Sequence, residues 1–555
     1  MNYAQYIRAT TPQSEPVAGK NMSANNAGGY AFKIDKWTQL DRFLVLGTEK
    51  GTYYVSERKL TQTNFAALDE CLAEDAIRVI DRAVEISTSG RAPKNDAALF
   101  VLAKAAADKK YRFNRQYALK KLPLVARTGT HLFHFVAYVN ELRGWGRALK
   151  KGVADWYNEK SATQLAYQLV KYKQRDRWSH RDLLRLAHPK ASTPAHNILY
   201  KKVSHPEIAL EATDDKAITL YSAADYLSTA TNPQRVASLI REFNLPRECV
   251  NTQLLNDRKV WEALLEKMPM TALIRNLGKL SSMGMTERYG ADAQKIAQQL
   301  VNKEALKKAR IHPITVLAAL NIYKQGGGHL GNLTWQPNLE IIEALNDAFY
   351  ETFNNIESTG KRYLLGLDIS GSMFGNSVAG IAGLDAAMAS AAMAMVTLRS
   401  EKNAMIKAFT CGDRTSYWNT SRTGQLENAL RGFVDVNISK RSMLDDVIGE
   451  MRRLSGQMGG TDCALPMVWA TKNQVPVDAF VVYTDSETWA GYVHPFEALK
   501  DYRERMGIPA KLIVVAASAN DVTIADPSDP GMLDVAGFDS AVPNVIADFA
   551  KAKID

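Results

Sequence analysis

Residues Tyr363-Leu364-Leu365-Gly366-Leu367-Asp368-Ile369-Ser370-Gly371-Ser372-Met373 decide how the C-terminal part of this chain folds. The run Tyr363–Leu367 is short, continuous and apolar, as a strand covered on both faces must be. It leads into D-x-S-x-S. One carboxylate and two hydroxyls on a tight loop supply part of the oxygen shell that a hard divalent cation such as Mg²⁺ requires. Ligands in open α/β sheets gather outside the carboxyl ends of the strands, where this loop falls. Taken alone, the motif also reads as a strand-to-helix turn with serine as N-cap.

Two further segments add to it. Gly459-Gly460-Thr461-Asp462 offers a third hydroxyl at Thr461, and Ala479–Thr484 is a second apolar run that leads into Asp485. Together the three pieces resemble the metal-ion-dependent adhesion site of von Willebrand factor A domains, whose pattern Asp368, Ser370, Ser372, Thr461 and Asp485 match. The resemblance implies one bound divalent cation, Mg²⁺, with an open position for a partner's carboxylate, and implies neither a nucleophile nor a base. Strand runs at Tyr363–Leu367, Ala404–Phe409, Ala479–Thr484 and Lys511–Ala516, with an Ala/Met helix over about 384–398 between the first two, predict a doubly wound α/β domain with a mainly parallel sheet. Its predicted span is 359–555.

The preceding text reads differently. Ala67–Ile80, Ala97–Ala107, Val260–Leu265 and Ile314–Leu320 repeat apolar residues at three and four spacing, the mark of amphipathic helices. Some three hundred helical residues exceed what a single core accommodates efficiently, so stacked helix pairs of a loose HEAT-like repeat are expected over 29–358. Residues 1–28, polar and rich in Pro, Gly and Asn, read as a mobile arm.

Charge is divided between the two parts. Of the net +10, residues 361–555 hold 19 Lys and Arg against 23 Asp and Glu, so the front part carries +14. A basic face suits a phosphate polymer, and equally a solvated surface with no partner. The densest stretch, Arg147–Lys190, has 11 basic residues against 4 acidic ones, interleaved with Trp156, Tyr157, Tyr167, Tyr172 and Trp178. Phosphates and unstacked bases call for such a mixture. Lys171 and Arg175, four apart, are expected on one helical face. Ser179 with Asp182 reads as a capping box opening a helix that ends at His188-Pro189. Singly, each residue has an ordinary structural account: solvated charges, a capping histidine and packing aromatics.

No run of the roughly 18 apolar residues of a membrane span occurs, and Met1–Gly28 lacks the apolar centre of a secretion signal, so a cytoplasmic protein is expected. Cys71, Cys249, Cys411 and Cys463 have neither zinc-ribbon spacing nor the pattern of a disulfide framework. Phosphate-loop, zinc-protease and nucleophile-elbow motifs are absent from the sequence, so no enzyme is expected; Asp368 with Asp485 offers at most half of a two-metal nuclease site.

Longer strings carry a family resemblance: Arg42-Phe43-Leu44 with Gly51–Tyr54, Gly144–Lys160, Lys171–Arg175 with Trp178-Ser179-His180, Lys308–Pro313, Gly459–Cys463 and Ile508–Val514. They resemble the Ro ribonucleoprotein family, from the first fifth of the chain to its end. The resemblance implies a ring of HEAT-like repeats, the TROVE domain, followed by a von Willebrand factor A domain. It implies a non-catalytic monomer that binds small structured Y-like RNAs on the ring's outer surface. It implies that single-stranded 3′ ends of misfolded or immature noncoding RNAs enter the hole, in RNA quality control or maturation. Lys171, Arg175 and His188 are similar to the family's outer-surface contacts, and Arg147, Lys150 and His180 in the same stretch join them as candidates. An exonuclease or another acidic protein at the metal site is a further expected partner; DNA and membranes are not. A stretch over 411–458 with a polar insert at Arg414–Arg422, and the N-terminal arm, depart from the family pattern. The competing reading is a metal-dependent protein-interaction scaffold that ignores RNA.

Overall fold

A computed structural model describes residues 11–48, 56–328, 332–353, 356–374, 377–411, 429–454 and 459–552, with Glu427 and Gly456. The chain divides into two compact units. One comprises Met1–Glu70, Gly90–Pro93 and Ala297–Asp555; the other comprises Cys71–Ser89 and Lys94–Ile296.

The second unit is helical apart from one hairpin. Two strands, β1 (Met22–Ala24) and β2 (Tyr30–Lys33), and the helices α1 (Lys36–Leu46) and α2 (Glu57–Ser89) precede its main body. Within α2, Asp75 leaves the helical region at φ −151°, and its carboxylate accepts the Arg78 N–H at 2.9 Å, so the helix restarts there with its own N-cap. Then follow α3 (Asp96–Ala106), α4 (Arg112–Val125), α5 (Gly129–Leu142), α6 (Arg147–Asn158), α7 (Ala162–Lys171), the hairpin β3 (Gln174–Arg175) and β4 (Trp178–Ser179), α8 (His180–Ala187) and α9 (Pro194–Ser204). Further helices run to Leu300. Helices pack in pairs, α3 against α4 and α5, α4 against α6, and α6 against α8, as helical repeats do. Their boundaries are chemical: Thr128 caps α5, Ser161 with Gln164 makes a capping box on α7, and Ser179 with Asp182 makes the box expected on α8.

The first unit is built on a six-stranded sheet. β5 (Arg362–Asp368), β6 (Asn403–Phe409), β7 (Phe433–Asp435), β8 (Ala479–Thr484), β9 (Lys511–Ala516) and β11 (Met532–Ala536) lie in the order β11-β9-β8-β5-β6-β7. All pairs are parallel except β6 with β7. The order reverses between β5 and β8, the switch point at which an open sheet leaves a crevice. The four strand runs read from the sequence are present, and β8 and β9 are buried along their whole length. The short antiparallel β7 and the partly polar β11 gave no periodic signal.

The mobile arm expected over 1–28 is corrected for residues 11–28. β1 pairs with β2, and β2 pairs with β10 (Val522–Thr523). Phe32 is buried with its ring 5.1 Å from Phe496. Polar composition marked a segment without its own periodicity; it did not reveal that those polar groups find partners in the α/β unit. The expected phrase Gly51–Tyr54 and the insert at Arg414–Arg422 lie outside the described residues.

Arg42 on α1 fastens this arrangement. It is fully buried; its Nη2 donates to both Asp534 oxygens at 2.8 Å, and its Nη1 donates to Asn520 and to the Val522 carbonyl. Removing one partner leaves the other buried groups unsatisfied. Arg42→Met is therefore expected to lower the stability of the α/β unit by about 3 kcal/mol, read from urea denaturation followed by tryptophan fluorescence.

Candidate functional site

Asp368 stands at the end of β5 and Asp485 just past the end of β8, the two strands that flank the switch point. Chain direction and sheet order thus bring together carboxylates 117 positions apart in sequence. Asp368, Ser370 and Thr461 are fully buried, with Asp485 and Ser372 nearly so. Asp368 accepts the Ser370 N–H at 2.8 Å and the Thr484 hydroxyl at 2.6 Å, and the Ser370 and Ser372 hydroxyls lie 3.1 Å apart. The Gly371 N–H reaches the Gly459 carbonyl at 3.4 Å, which joins the first loop to the one carrying Thr461. All five residues matched by sequence therefore lie at one end of the sheet, Asp368 as the last residue of β5 and the others beyond the strands.

Two polar atoms there have no partner: Thr461 Oγ1 and Asp485 Oδ2. Burial without a hydrogen bond is costly. Burial pushes the Asp368 carboxyl up to about 6 and, with the Asp368 charge adding to it, Asp485 up to about 7. Two buried carboxyls and three hydroxyls, with one oxygen of each kind left orphaned, fit a divalent oxygen-seeking cation. A cavity of about 40 Å³ opens beside Ser372 and Asp485, bordered by Thr48 and Ala519, with room for about three waters.

The N-terminal segment braces this end of the sheet, a role that its polar composition does not signal. Gln13 is fully buried; its side chain donates to Asp462 at 2.8 Å and to the Val493 carbonyl at 2.7 Å, and accepts from the Thr488 hydroxyl. Asn25 donates to the Thr488 carbonyl at 2.6 Å, and Asn26 donates twice to Glu487 at 2.7 and 2.8 Å. The loop that follows Asp485 is thereby held on one side by residues 13–26.

The basic stretch is laid out over several elements. Lys171 ends α7, half-buried against Tyr167 and Tyr172, and burial lowers its pKa. Arg175 does not share its helical face, because α7 stops at Lys171 and the chain turns into the β3–β4 hairpin. Asp176 and Arg177 at the turn have φ of 50° and 64°, the left-handed pair that a two-residue hairpin of matching twist demands. His134 on α5 pairs with Asp176 and ties the turn down, while the Arg175 side chain stays 62% exposed. His188 caps α8 at φ 48° and is exposed, as are Arg147 and Lys150 on α6.

His180 is corrected as a contact residue. It lies in the core, with Nδ1 2.7 Å from the Tyr157 hydroxyl and its ring 4.8 Å from Phe133. Trp156 and Tyr157 are likewise fully buried. Sequence spacing could not separate these from the surface members, because α6 and α8 each carry a basic and an apolar face within one short window.

Against known proteins, residues 23–326 match the TROVE domain and residues 362–550 match the Ro60 vWA domain. The chain belongs to the Ro60 family. It is 38% identical over 552 residues to a Deinococcus radiodurans protein named RNA-binding protein RO60, covering 99% of each. A Caenorhabditis elegans protein of the same name is 35% identical over 605 residues, with 96% of this chain and 90% of that protein covered. The crystal structure of the Deinococcus radiodurans RO (RSR) protein matches with a TM-score of 0.69 at 38% identity, covering 93% of this chain and 99% of that one. In this Ro60 family member Asp368, Ser370, Ser372, Thr461 and Asp485 fall inside the matched vWA domain and all six basic-stretch candidates inside the matched TROVE domain. No helix among the described residues is long and apolar enough to cross a membrane.

Burial takes His180 down to about 3, so it is neutral in the folded protein. The unfolded chain takes up this proton near pH 6.5, so the stabilising contribution is present above that pH and is lost as pH falls toward 3. Between pH 7.5 and 5 the contribution of His180 should fall by about 2 kcal/mol. Denaturation at both pH values should show this difference in the parent chain and a loss smaller by that amount in His180→Gln.

Proposed function

We propose that this protein is a non-catalytic RNA-binding protein of noncoding-RNA quality control or maturation. In this reading the exposed face of the TROVE domain takes a small structured Y-like RNA. A hole in a ring of its helical repeats takes single-stranded 3′ ends of misfolded or immature RNAs. The observation that carries it is the hairpin Gln174–Ser179 in an otherwise helical unit, which holds Arg175 out to solvent, with half-buried Lys171 and exposed His188 flanking it in sequence. A guanidinium on a rigid turn reads phosphate geometry with little loss of side-chain freedom. Both curated relatives described above are named RNA-binding proteins, and the +14 charge of residues 1–360 supplies the non-specific attraction such a partner requires.

Lys171→Ala/Arg175→Ala/His188→Ser tests the outer-surface site. The variant should lose affinity for a stem-loop RNA and show a salt slope lower by about 2, one for each cationic contact removed. It should keep its affinity for a structured RNA with a 3′ single-stranded tail. Equal loss of both RNAs would sink the idea of two separate sites. RNA recovered from these mixtures with Mg²⁺ should be full length, and shortening would overturn the non-catalytic reading. Absence of binding to either RNA would favour a protein-interaction scaffold.

The vWA domain would act as a second binding surface. Asp368, Ser370, Ser372, Thr461 and Asp485 would hold Mg²⁺, which supplies an open position for a carboxylate of an acidic partner such as a recruited exonuclease. The unpartnered Thr461 Oγ1 and Asp485 Oδ2 support this. Mg²⁺ at about a hundredfold over its Kd should stabilise the protein by about 2.7 kcal/mol. The gain should be larger at pH 8 than at pH 5.5, because ligating carboxylates must be deprotonated. Differential scanning fluorimetry with and without Mg²⁺ checks this; Asp485→Ala should abolish the shift, and no shift in the parent chain would remove the metal from the account.

A further inference from the structure

One cavity of the helical unit shares no lining residue with the Gln174–Ser179 hairpin. It holds about 790 Å³ and is lined by α4, by the end of α5 and by α6. Six cations face it: Arg112, Arg115 and Lys120 from α4, Arg143 just past α5, and Arg147 and Lys151 from α6. The two helices approach closely because Gly152 has no side chain; a Cβ there would stand 2.7 Å from Leu119 Cδ2. Cations on both helices consequently converge on one cleft.

Arg115 and Arg143 are held in place, each donating to the Asp108 carbonyl. Arg112, Lys120, Arg147 and Lys151 form no ion pair with any described carboxylate. Like charges gathered in a cavity repel one another, so the arrangement is stable with an anion between them. The two carboxylates of the lining, Asp155 and Glu159, lie further along α6, roughly 12 and 18 Å from Arg147 by helical rise. They leave the Arg147 end of the cleft cationic.

Aromatic side chains stand at the same helix. Phe113 is 63% exposed and stacks on Tyr117, with ring centroids 6.0 Å apart and 16° between planes, and Tyr111 is 52% exposed. Neither ring of that pair is part of the cavity lining, and the Tyr117 hydroxyl donates to Asp81. The interior of an RNA strand presents its phosphates singly and in series, whereas a terminal triphosphate concentrates several charges at one point. From the convergence of six cations on one cavity, we propose that the α4–α6 cleft binds the 5′-triphosphate end of an RNA. The inference rests on the RNA-binding reading and adds to it a site that reads the 5′ terminus. A primary transcript would thus be distinguished from a processed or degraded one.

The test uses the full chain and one short single-stranded RNA sequence carrying a 5′-triphosphate, a 5′-monophosphate or a 5′-hydroxyl, with affinities read by fluorescence anisotropy. The triphosphate form should bind about tenfold more tightly than the hydroxyl form, as charge-assisted contacts of this kind allow. Arg112→Ala/Lys120→Ala/Lys151→Ala changes only exposed side chains, and its fold is checked by circular dichroism. It should erase the preference and leave binding of the 5′-hydroxyl stem-loop through Lys171 and Arg175 intact. A charge-matched variant, Lys216→Ala/Lys267→Ala/Lys295→Ala, should keep the preference; its loss there would reduce the effect to net charge and overturn the assignment. Equal affinity of the parent chain for the three ends would overturn it too, and the stem-loop measurement would show that RNA binding itself still stands. Displacement of the triphosphorylated RNA by equimolar GTP would assign the cleft to a free nucleotide in place of an RNA end.

Discussion

Two carboxyl groups buried at the ends of neighbouring parallel strands are the constraint to which the α/β unit answers. Asp368 and Asp485 are removed from water and raise each other's cost of ionisation. Everything near them reads as a response. The Ser370 N–H and Thr484 hydroxyl satisfy the Asp368 carboxylate, while Thr461 Oγ1 and Asp485 Oδ2 are left without partners. A sheet whose order reverses between β5 and β8 is what allows both strand ends to open onto the same crevice.

That loading explains why the loop beyond Asp485 is so heavily hydrogen-bonded from outside. Buried Asp485 and Glu487 sit two residues apart, and Asn26, Ala27 and Asn520 donate to Glu487. Without these donors the loop would hold a second buried carboxylate with few partners. The helical unit solves an opposite problem with opposite charges. Its excess cations are spread over the ends of α6 and α8, the hairpin and the α4–α6 cleft, and its aromatics divide between core and surface.

Much of this was legible in the sequence, and for specific reasons. Strands buried on both faces print as unbroken apolar runs, so β5, β8 and β9 could be read directly, and their terminal carboxylates with them. The capping box at Ser179 and Asp182 could be read because it depends on neighbours three apart. What could not be read depends on distant partners. Arg175 left the helical face because two consecutive left-handed residues, neither of them glycine, make a turn that composition does not signal. His180 looked like a surface cation and is a neutral core residue, because its partner Tyr157 comes from another helix. Gln13 and Asn26 looked like loop filler until Asp462 and Glu487 were in view.

The pairing of β2 with β10 and the bond from Arg42 to Asn520 join segments far apart in the chain, 478 positions apart in the second case. During synthesis the first fifty residues must therefore wait, at ordinary rates of translation, for roughly half a minute to a minute and a half before their partners emerge. The helical unit, whose contacts are local, can form in that interval, while Ala31, Phe32 and the apolar face of α1 stay uncovered. The α/β unit is thus closed last, by the part of the chain that was made first.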